Sequence, residues 1–259
     1  MRPSRLSRCF ATLKRMKILV SAIAAALIVF GGAVNSISTP EAVIRKLEAR
    51  YHHAQTLKAA FYERYSDSSS AGEGSAESGT VYFSQPGRMR WEYESPEKKF
   101  FIVDGTNVWF YVPADRTVSR AKVKESSDWR TPLALLTGKS DLSRLCRSIE
   151  ILDPAKTSAT AANPEGSENR PSSPDNTVLR CVPKRESADA DQEIREVLLE
   201  SDPESHLVRL IIRQPGNLET EFRFANWQEN LPVAETMFHF APPQGVTVVD
   251  ESGLANQVH

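Results

Sequence analysis

The sequence predicts a mainly β fold, one large antiparallel sheet that curls into a sandwich or an open barrel. Apolar residues recur with a period of two in segments spread from residue 57 to residue 227. Pro86-Gly87 and Asp104-Gly105 each punctuate a pair of such segments as hairpin turns do. Helical spacing occurs in only a few short places.

The first helix is read from Thr39 as N-cap, Pro40 at the first helical position and Glu41 in the first turn. Val43, Ile44, Leu47 and Tyr51 follow on one stripe, which must lie against a sheet. From residue 57 the period changes to two: Leu57, Ala59 and Phe61 share one face, and Lys58, Ala60, Tyr62 and Arg64 the other. Ser66 to Ser78 is serine- and glycine-rich and reads as a loop. Strands are then expected at 80–83, 88–93, 100–103, 107–111 and 118–123. In the second of these Met89, Trp91 and Tyr93 alternate with Arg90 and Glu92. Thr131-Pro132 opens a short helix carrying Leu133, Leu135 and Leu136 and stopped by Gly138. Further strands are expected at 148–152, 177–182, 195–201, 207–214, 219–227 and 237–240. Residues 155–176 lack any aromatic side chain and read as a flexible insertion inside one domain.

The chain of 259 residues carries 32 basic and 33 acidic side chains. Arg2, Arg5, Arg8, Lys14, Arg15 and Lys17 precede an apolar run from Ile18 to Phe30, with Gly31 and Ala33 at a cleavage site. Residues 1–33 therefore read as a signal peptide and 34–259 as the mature domain; an uncleaved anchor is the alternative for the same run. Without 1–33 the remainder has 26 basic and 33 acidic residues, net −7. That argues against nucleic acid as a partner, because phosphate contacts need a basic surface. Cys9 precedes the apolar run and the next cysteine is Cys146, so the cysteine a lipid anchor requires is missing.

Cys146 and Cys181 remain as an even pair in an exporting context. If 148–152 and 177–182 pair as a hairpin, both cysteines approach one end and can bridge; two buried free thiols are the alternative. No nucleophile motif, glycine phosphate loop or metal-ligand spacing is present in the sequence. His52 and His53 are adjacent on a helix and diverge, while His206 and His239 stand singly. Neither an enzymatic activity nor a cofactor or metal is therefore expected.

The run from Tyr82 through Gln85-Pro86-Gly87-Arg88-Met89-Arg90-Trp91 to Tyr93, with Val103 to Tyr111, resembles the periplasmic outer-membrane lipoprotein carrier (LolA) family. Thr131 to Leu136 and Phe240 to Val248 are similar to two further stretches of that family. The resemblance implies an open, incomplete antiparallel β-barrel with helices covering its concave apolar face. It also implies a monomeric periplasmic chaperone that carries acylated lipoproteins between an inner-membrane ABC-type lipoprotein exporter and an outer-membrane lipoprotein receptor. A carrier is physically necessary for such cargo, since each buried acyl methylene contributes about 0.8 kcal/mol to membrane retention.

On this basis Leu57, Ala59, Phe61, Val81, Phe83, Met89, Trp91, Tyr93, Ile102 and Trp109 are candidates for the acyl-chain cavity. Val43, Ile44, Leu47, Leu133 and Leu136 are candidates for the lid. Ordinary core packing explains the same alternation. The family commonly has an arginine before the turn proline, bonded to the lid; here that position is Gln85, which can bond a carbonyl without charge assistance. Arg88 and Arg90 are candidates to replace it as the latch. A periplasmic lipid- or lipoprotein-sensing regulatory binder on the same fold is the competing function, and a hydrolase a third.

Overall fold

Why one face of the sheet is apolar and the other charged follows from strand parity, which the computed structural model makes explicit for residues 39–67, 75–123, 141–152, 172–184 and 194–250. The expected signal peptide, the segment with Leu133 and Leu136, and most of the expected insertion lie outside the described residues.

Helix α1 spans Pro40–His53. Thr39 Oγ1 accepts from the Ala42 amide at 3.3 Å, so one of the free amides of the first turn is satisfied as the sequence predicts. Ile44, Leu47 and Tyr51 are its buried stripe. A short helix α2, Leu142–Leu145, precedes the second half of the sheet.

Twelve strands form one sheet: β1 Thr56–Asp67, β2 Ala76–Ser84, β3 Arg88–Ser95, β4 Lys99–Val103, β5 Asn107–Val112, β6 Thr117–Lys122, β7 Cys146–Ile151, β8 Thr177–Pro183, β9 Glu196–Ser201, β10 Leu207–Arg213, β11 Leu218–Glu229 and β12 Thr247–Asp250. Their spatial order is β12-β6-β5-β4-β3-β2-β1-β11-β10-β9-β8-β7, so among the described residues β12 and β7 are the end strands and the barrel is open. All neighbours are antiparallel except β12, which runs parallel to β6.

Three expectations need correction. The loop expected over 66–78 is shorter, because β1 runs to Asp67 and β2 starts at Ala76, with Arg64 opposite Ala76. The strand expected at 237–240 is instead a 3-10 turn, Glu235–Phe238. It follows Pro232, and Arg90 of β3 donates to its Met237 carbonyl at 3.1 Å. The parallel strand β12 was not expected.

Gly79 permits a close approach of β2 to β3: a Cβ there would sit 1.9 Å from the carbonyl oxygen of Glu92. At the far edge, β7 and β8 pair antiparallel, with Ile149 opposite Cys181. Cys146 and Cys181 have their Cα atoms 5.6 Å apart and their sulfurs joined. That bond ties the exposed edge strand to its neighbour and closes a loop with a sequence separation of 35. Replacing both cysteines by serine should cost about 3 kcal/mol through the freed unfolded chain. Urea denaturation checks this, and an unchanged stability would show that the bridge constrains nothing.

Candidate functional site

Strand parity and register assemble the face under α1. Leu57, Ala59 and Phe61 of β1 stand opposite Phe83, Val81 and Gly79 of β2. Val81 and Phe83 stand opposite Trp91 and Met89 of β3, which in turn face Phe101 and Val103 of β4. On the other side of β1, Phe61 is paired with Phe224 of β11, and Leu210 of β10 with Phe222. These residues form one hydrophobic cluster with Ile44, Leu47 and Tyr51 of α1, and Val43 packs against it.

Trp91 is the centre of the cluster. Its ring lies 4.7 Å from Phe61, 5.5 Å from Phe222, 6.1 Å from Phe83 and 6.2 Å from Phe224, distances that favour edge and tilted aromatic contacts. A hollow wide enough for an acyl chain would leave its walls accessible to a water-sized sphere. Phe61, Val81, Phe83, Trp91, Tyr93, Phe222 and Phe224 are at most 5% exposed, so they pack against one another and the α1 stripe instead.

Eight of the ten sequence-derived wall candidates lie in that cluster: Leu57, Ala59, Phe61, Val81, Phe83, Met89, Trp91 and Tyr93. Ile102 and Trp109 do not. They share a separate cluster with Val118 on the opposite face, where Phe240 lies 5.5 Å from the Trp109 ring and Asp104 accepts from Trp109 Nε1 at 2.9 Å. The run Phe100-Phe101-Ile102-Val103 is apolar throughout, so its parity is invisible in the sequence; pairing of Phe101 with Trp91 decides it. Phe101, Val103 and Val108 take the inward places.

Gln85, in the turn between β2 and β3, donates from Nε2 to the carbonyls of Tyr51 (2.9 Å) and His52 (3.2 Å). These are last-turn carbonyls of α1, which lack partners within the helix. Arg88 and Arg90 do not reach α1, because even-numbered residues of β3 face outward. Arg88 meets Glu235 at 3.4 Å, and Arg90 donates to the Met237 carbonyl at 3.1 Å. Both thus fasten the C-terminal segment to the outer face, a correction to the latch expectation.

More bonds gather at the same end of α1. Tyr51 Oη accepts from the Leu207 amide at 2.7 Å, and burial raises its hydroxyl pKa well above the ordinary value. Arg50 pairs with Glu229 at 2.6 Å, donates to the Glu204 carbonyl at 2.8 Å and contacts His206 Nε2. Glu48 accepts from the Leu142 amide at 2.7 Å. His206, isolated in the sequence, has Asp202 and Glu204 beside it, with ligand atoms within 4.8 Å of one another. The Arg50 guanidinium supplies the positive charge at that point.

A polar cluster of Glu63, Glu77 and Lys99 sits on the same face beside Tyr93. Glu63 is 5% exposed and accepts from Tyr93 Oη at 2.9 Å. Burial raises its pKa from 4.5 to about 7, opposed by the Tyr93 bond and by Lys99. Lys99 pairs with Glu77 at 2.6 Å and lies 4.5 Å from the Tyr93 ring centre. The sequence reading missed Glu63, Phe222, Phe224 and Tyr51 as parts of this site. The alternation Glu221, Phe222, Arg223, Phe224 carried the signal for two of them.

Residues 52–170 match the profile of the family described as outer membrane lipoprotein carrier protein LolA. An outer-membrane lipoprotein carrier protein of Nitrosospira multiformis is 27% identical over 210 residues, covering 80% of this chain and 88% of that protein. One of Chromobacterium violaceum is 25% identical over 234 residues, covering 90% and 98%. Among solved structures, a LolA superfamily protein of Nitrosomonas europaea aligns over 78% of this chain and 98% of its own, at 9% identity and a TM-score of 0.40. The resemblance read from the sequence holds. The relatives bear the name of a carrier, a binding role. Among the described residues no helix is long and apolar enough to cross a membrane.

Two outcomes follow. The carboxyl of Glu63 binds its proton more tightly folded than unfolded, so folding stability falls as pH rises from 4.5 to about 7, by about 3 kcal/mol in all. Glu63→Gln should therefore stabilise the protein at about pH 8 and leave it nearly unchanged at about pH 4. Urea titrations at the two pH values check this; an equal effect at both refutes a neutral Glu63. Removing the paired carbonyl bonds with Gln85→Ala should lower amide protection of the last turn of α1 roughly tenfold, and Gln85→Arg should raise it. Equal hydrogen exchange in all three proteins would show that residue 85 does not hold the helix.

Proposed function

We propose, taking the chain as a LolA-like protein, that it is a periplasmic chaperone binding the acyl chains of lipoproteins released from the inner membrane. It carries them to an outer-membrane receptor after loading by an inner-membrane ABC-type exporter. The observation that best supports this reading is a continuous apolar sheet face, centred on Trp91, whose cover α1 contributes mainly Ile44, Leu47 and Tyr51. An acyl chain offers the same kind of contact as those side chains, so a guest can take their place on the sheet at little net cost. Segment 1–33 would direct export, and 34–259 would be the carrier domain.

In this reading Leu57, Ala59, Phe61, Val81, Phe83, Met89, Trp91 and Tyr93 form the wall, joined by Phe101, Phe222 and Phe224. Val43, Ile44 and Leu47 belong to the lid, and Gln85 is the latch. Because the closed form fills its own interior, loading requires α1 to lift. Release is then favoured by the return of α1, which lets the grip on cargo stay modest. Binding and handing over need no bond to be made or broken, so no catalytic residue has to be assigned.

The test is transfer. Inner membranes bearing an exporter and an acylated lipoprotein are incubated with the protein, and the soluble fraction is then offered to outer membranes. Soluble lipoprotein in a one-to-one complex, later recovered in the outer membrane, is the expected result. Cargo that never leaves the inner membrane overturns the carrier reading. A regulatory protein co-purifying in place of lipoprotein would favour the sensing alternative.

A further inference from the structure

The apolar face changes character toward one end. Leu57 lies near the turn that carries Gln85, and Glu63 stands six positions further along β1, about 20 Å of strand. Glu63 is opposite Glu77 of β2 and Phe222 of β11, while Tyr93 of β3 is opposite Lys99 of β4. Two carboxyls and one ammonium group thus share this end. The ammonium is already engaged: Lys99 Nζ lies 2.7 and 2.6 Å from the two carboxylate oxygens of Glu77. Glu63 receives the Tyr93 hydroxyl on one oxygen at 2.9 Å, and no described residue donates to the other. With no cation of its own, the buried carboxyl keeps its proton until about pH 7.

We propose that Glu63 is the counter-charge for a free amino terminus, so that the face accepts acylated lipoproteins whose amino-terminal amine carries no acyl group. The inference names the head-group chemistry of the cargo and rests on the carrier reading. An extended fatty acyl chain matches the distance from Leu57 to Glu63, so a chain lying on the face brings its polar end to this cluster. Hydroxyl and amide groups can hydrogen-bond a neutral carboxyl there. Only a cation lets Glu63 ionise without leaving a buried charge uncompensated.

The charges balance in that exchange. An ammonium group enters, Glu63 gives its proton to solvent, and the cluster then holds two carboxylates against two ammonium groups. The other groups around Glu63 leave the role to it. Lys99 neutralises Glu77, burial keeps the Tyr93 hydroxyl neutral, and β11 presents the apolar Phe222. An N-acylated terminus brings no charge and gains nothing from Glu63, so the selectivity is a difference between two ligands of equal apolar content.

The test uses a synthetic peptide whose amino-terminal cysteine carries a diacylglyceryl thioether, prepared with a free amine and with that amine acetylated. Equilibrium binding of both is measured to the full chain and to Glu63→Gln at about pH 7, where the free amine is mostly protonated. The substitution should weaken binding of the free-amine peptide roughly tenfold more than binding of its acetylated twin. Glu63→Gln removes a buried ionisable group, so loss of folding does not enter the comparison. In the parent protein the free-amine peptide should bind more tightly as pH rises from about 6 to about 7, because Glu63 then has less proton to lose; the acetylated peptide should show no such rise. Equal losses for both peptides in Glu63→Gln, or the same pH response from both, overturn the amine site and leave the carrier reading standing. A protein that binds neither peptide refutes the carrier reading, and the amine site falls with it.

Discussion

Burial of the aromatic face beneath α1 is the contact on which the remaining architecture depends. Trp91 and its neighbours present a surface too large and too apolar to stay in water, and α1, with Leu142 of α2, packs on it. Ile44, Leu47 and Tyr51 each contribute on the order of 1.5–3 kcal/mol by leaving water. The polar bonds of Gln85, Arg50 and Glu48 each add about 1 kcal/mol, or somewhat more where charged. Closure is thus chiefly an apolar contact, and apolar contact is non-directional. A helix stripe and an acyl chain can satisfy the same surface, whereas a specific hydrogen-bond lattice could not be exchanged so simply.

The opposite face is built on a different principle. Glu150, Arg180, Glu196, Arg213 and Glu219 form a ladder across five strands, β7 to β11, with successive contacts of 2.9, 2.5, 2.6 and 2.8 Å. A second row joins Glu200 to Arg209 at 2.7 Å and Glu221 to Arg223 at 2.8 Å. Single surface pairs contribute little, but cross-strand networks fix register, and a one-residue slip would turn every charge inward. Ion pairs therefore hold the sheet's shape from outside, while the Cys146–Cys181 bond, whose sulfurs belong to the inner cluster, ties its edge from within. A binding face can exchange its cover for a guest only if its backbone does not depend on that cover.

How far the sequence discloses this arrangement depends on whether periodicity is informative locally. In β1 and β3, apolar and polar residues alternate cleanly, so Phe61, Met89, Trp91 and Tyr93 could be placed on one face without coordinates. In β4 every residue from Phe100 to Val103 is apolar, parity carries no signal, and Ile102 was assigned inward although pairing turns it outward. Arg88 and Arg90 were read as latch candidates from their closeness in sequence to Gln85. Parity alone should have excluded them, since they alternate with the inward Met89 and Trp91. The Arg50, Asp202 and His206 contact joins residues more than 150 positions apart, and no local pattern encodes it. Glu63 was hidden for another reason: an acid at an inward position looks like an interruption of the pattern until Tyr93, Glu77 and Lys99 are seen beside it.

Polar and apolar contacts are unevenly distributed along α1. The polar contacts described between α1 and the rest of the chain all come from Glu48 onward: Glu48 to Leu142, Arg50 to Glu229 and His206, Tyr51 to Leu207, and the Tyr51 and His52 carbonyls to Gln85. The preceding turns meet the sheet through Val43, Ile44 and Leu47, and the Thr39 cap is satisfied within the helix itself. Apolar contacts slide and exchange without leaving an unsatisfied group, while each broken polar contact exposes one. On the proposed carrier reading, separating α1 from the sheet would cost least beneath the first turns and most at the last turn, where Gln85 and Tyr51 bond it. A helix fastened at one end by directional bonds and at the other only by burial can open without losing its register, and can close again on the same side chains.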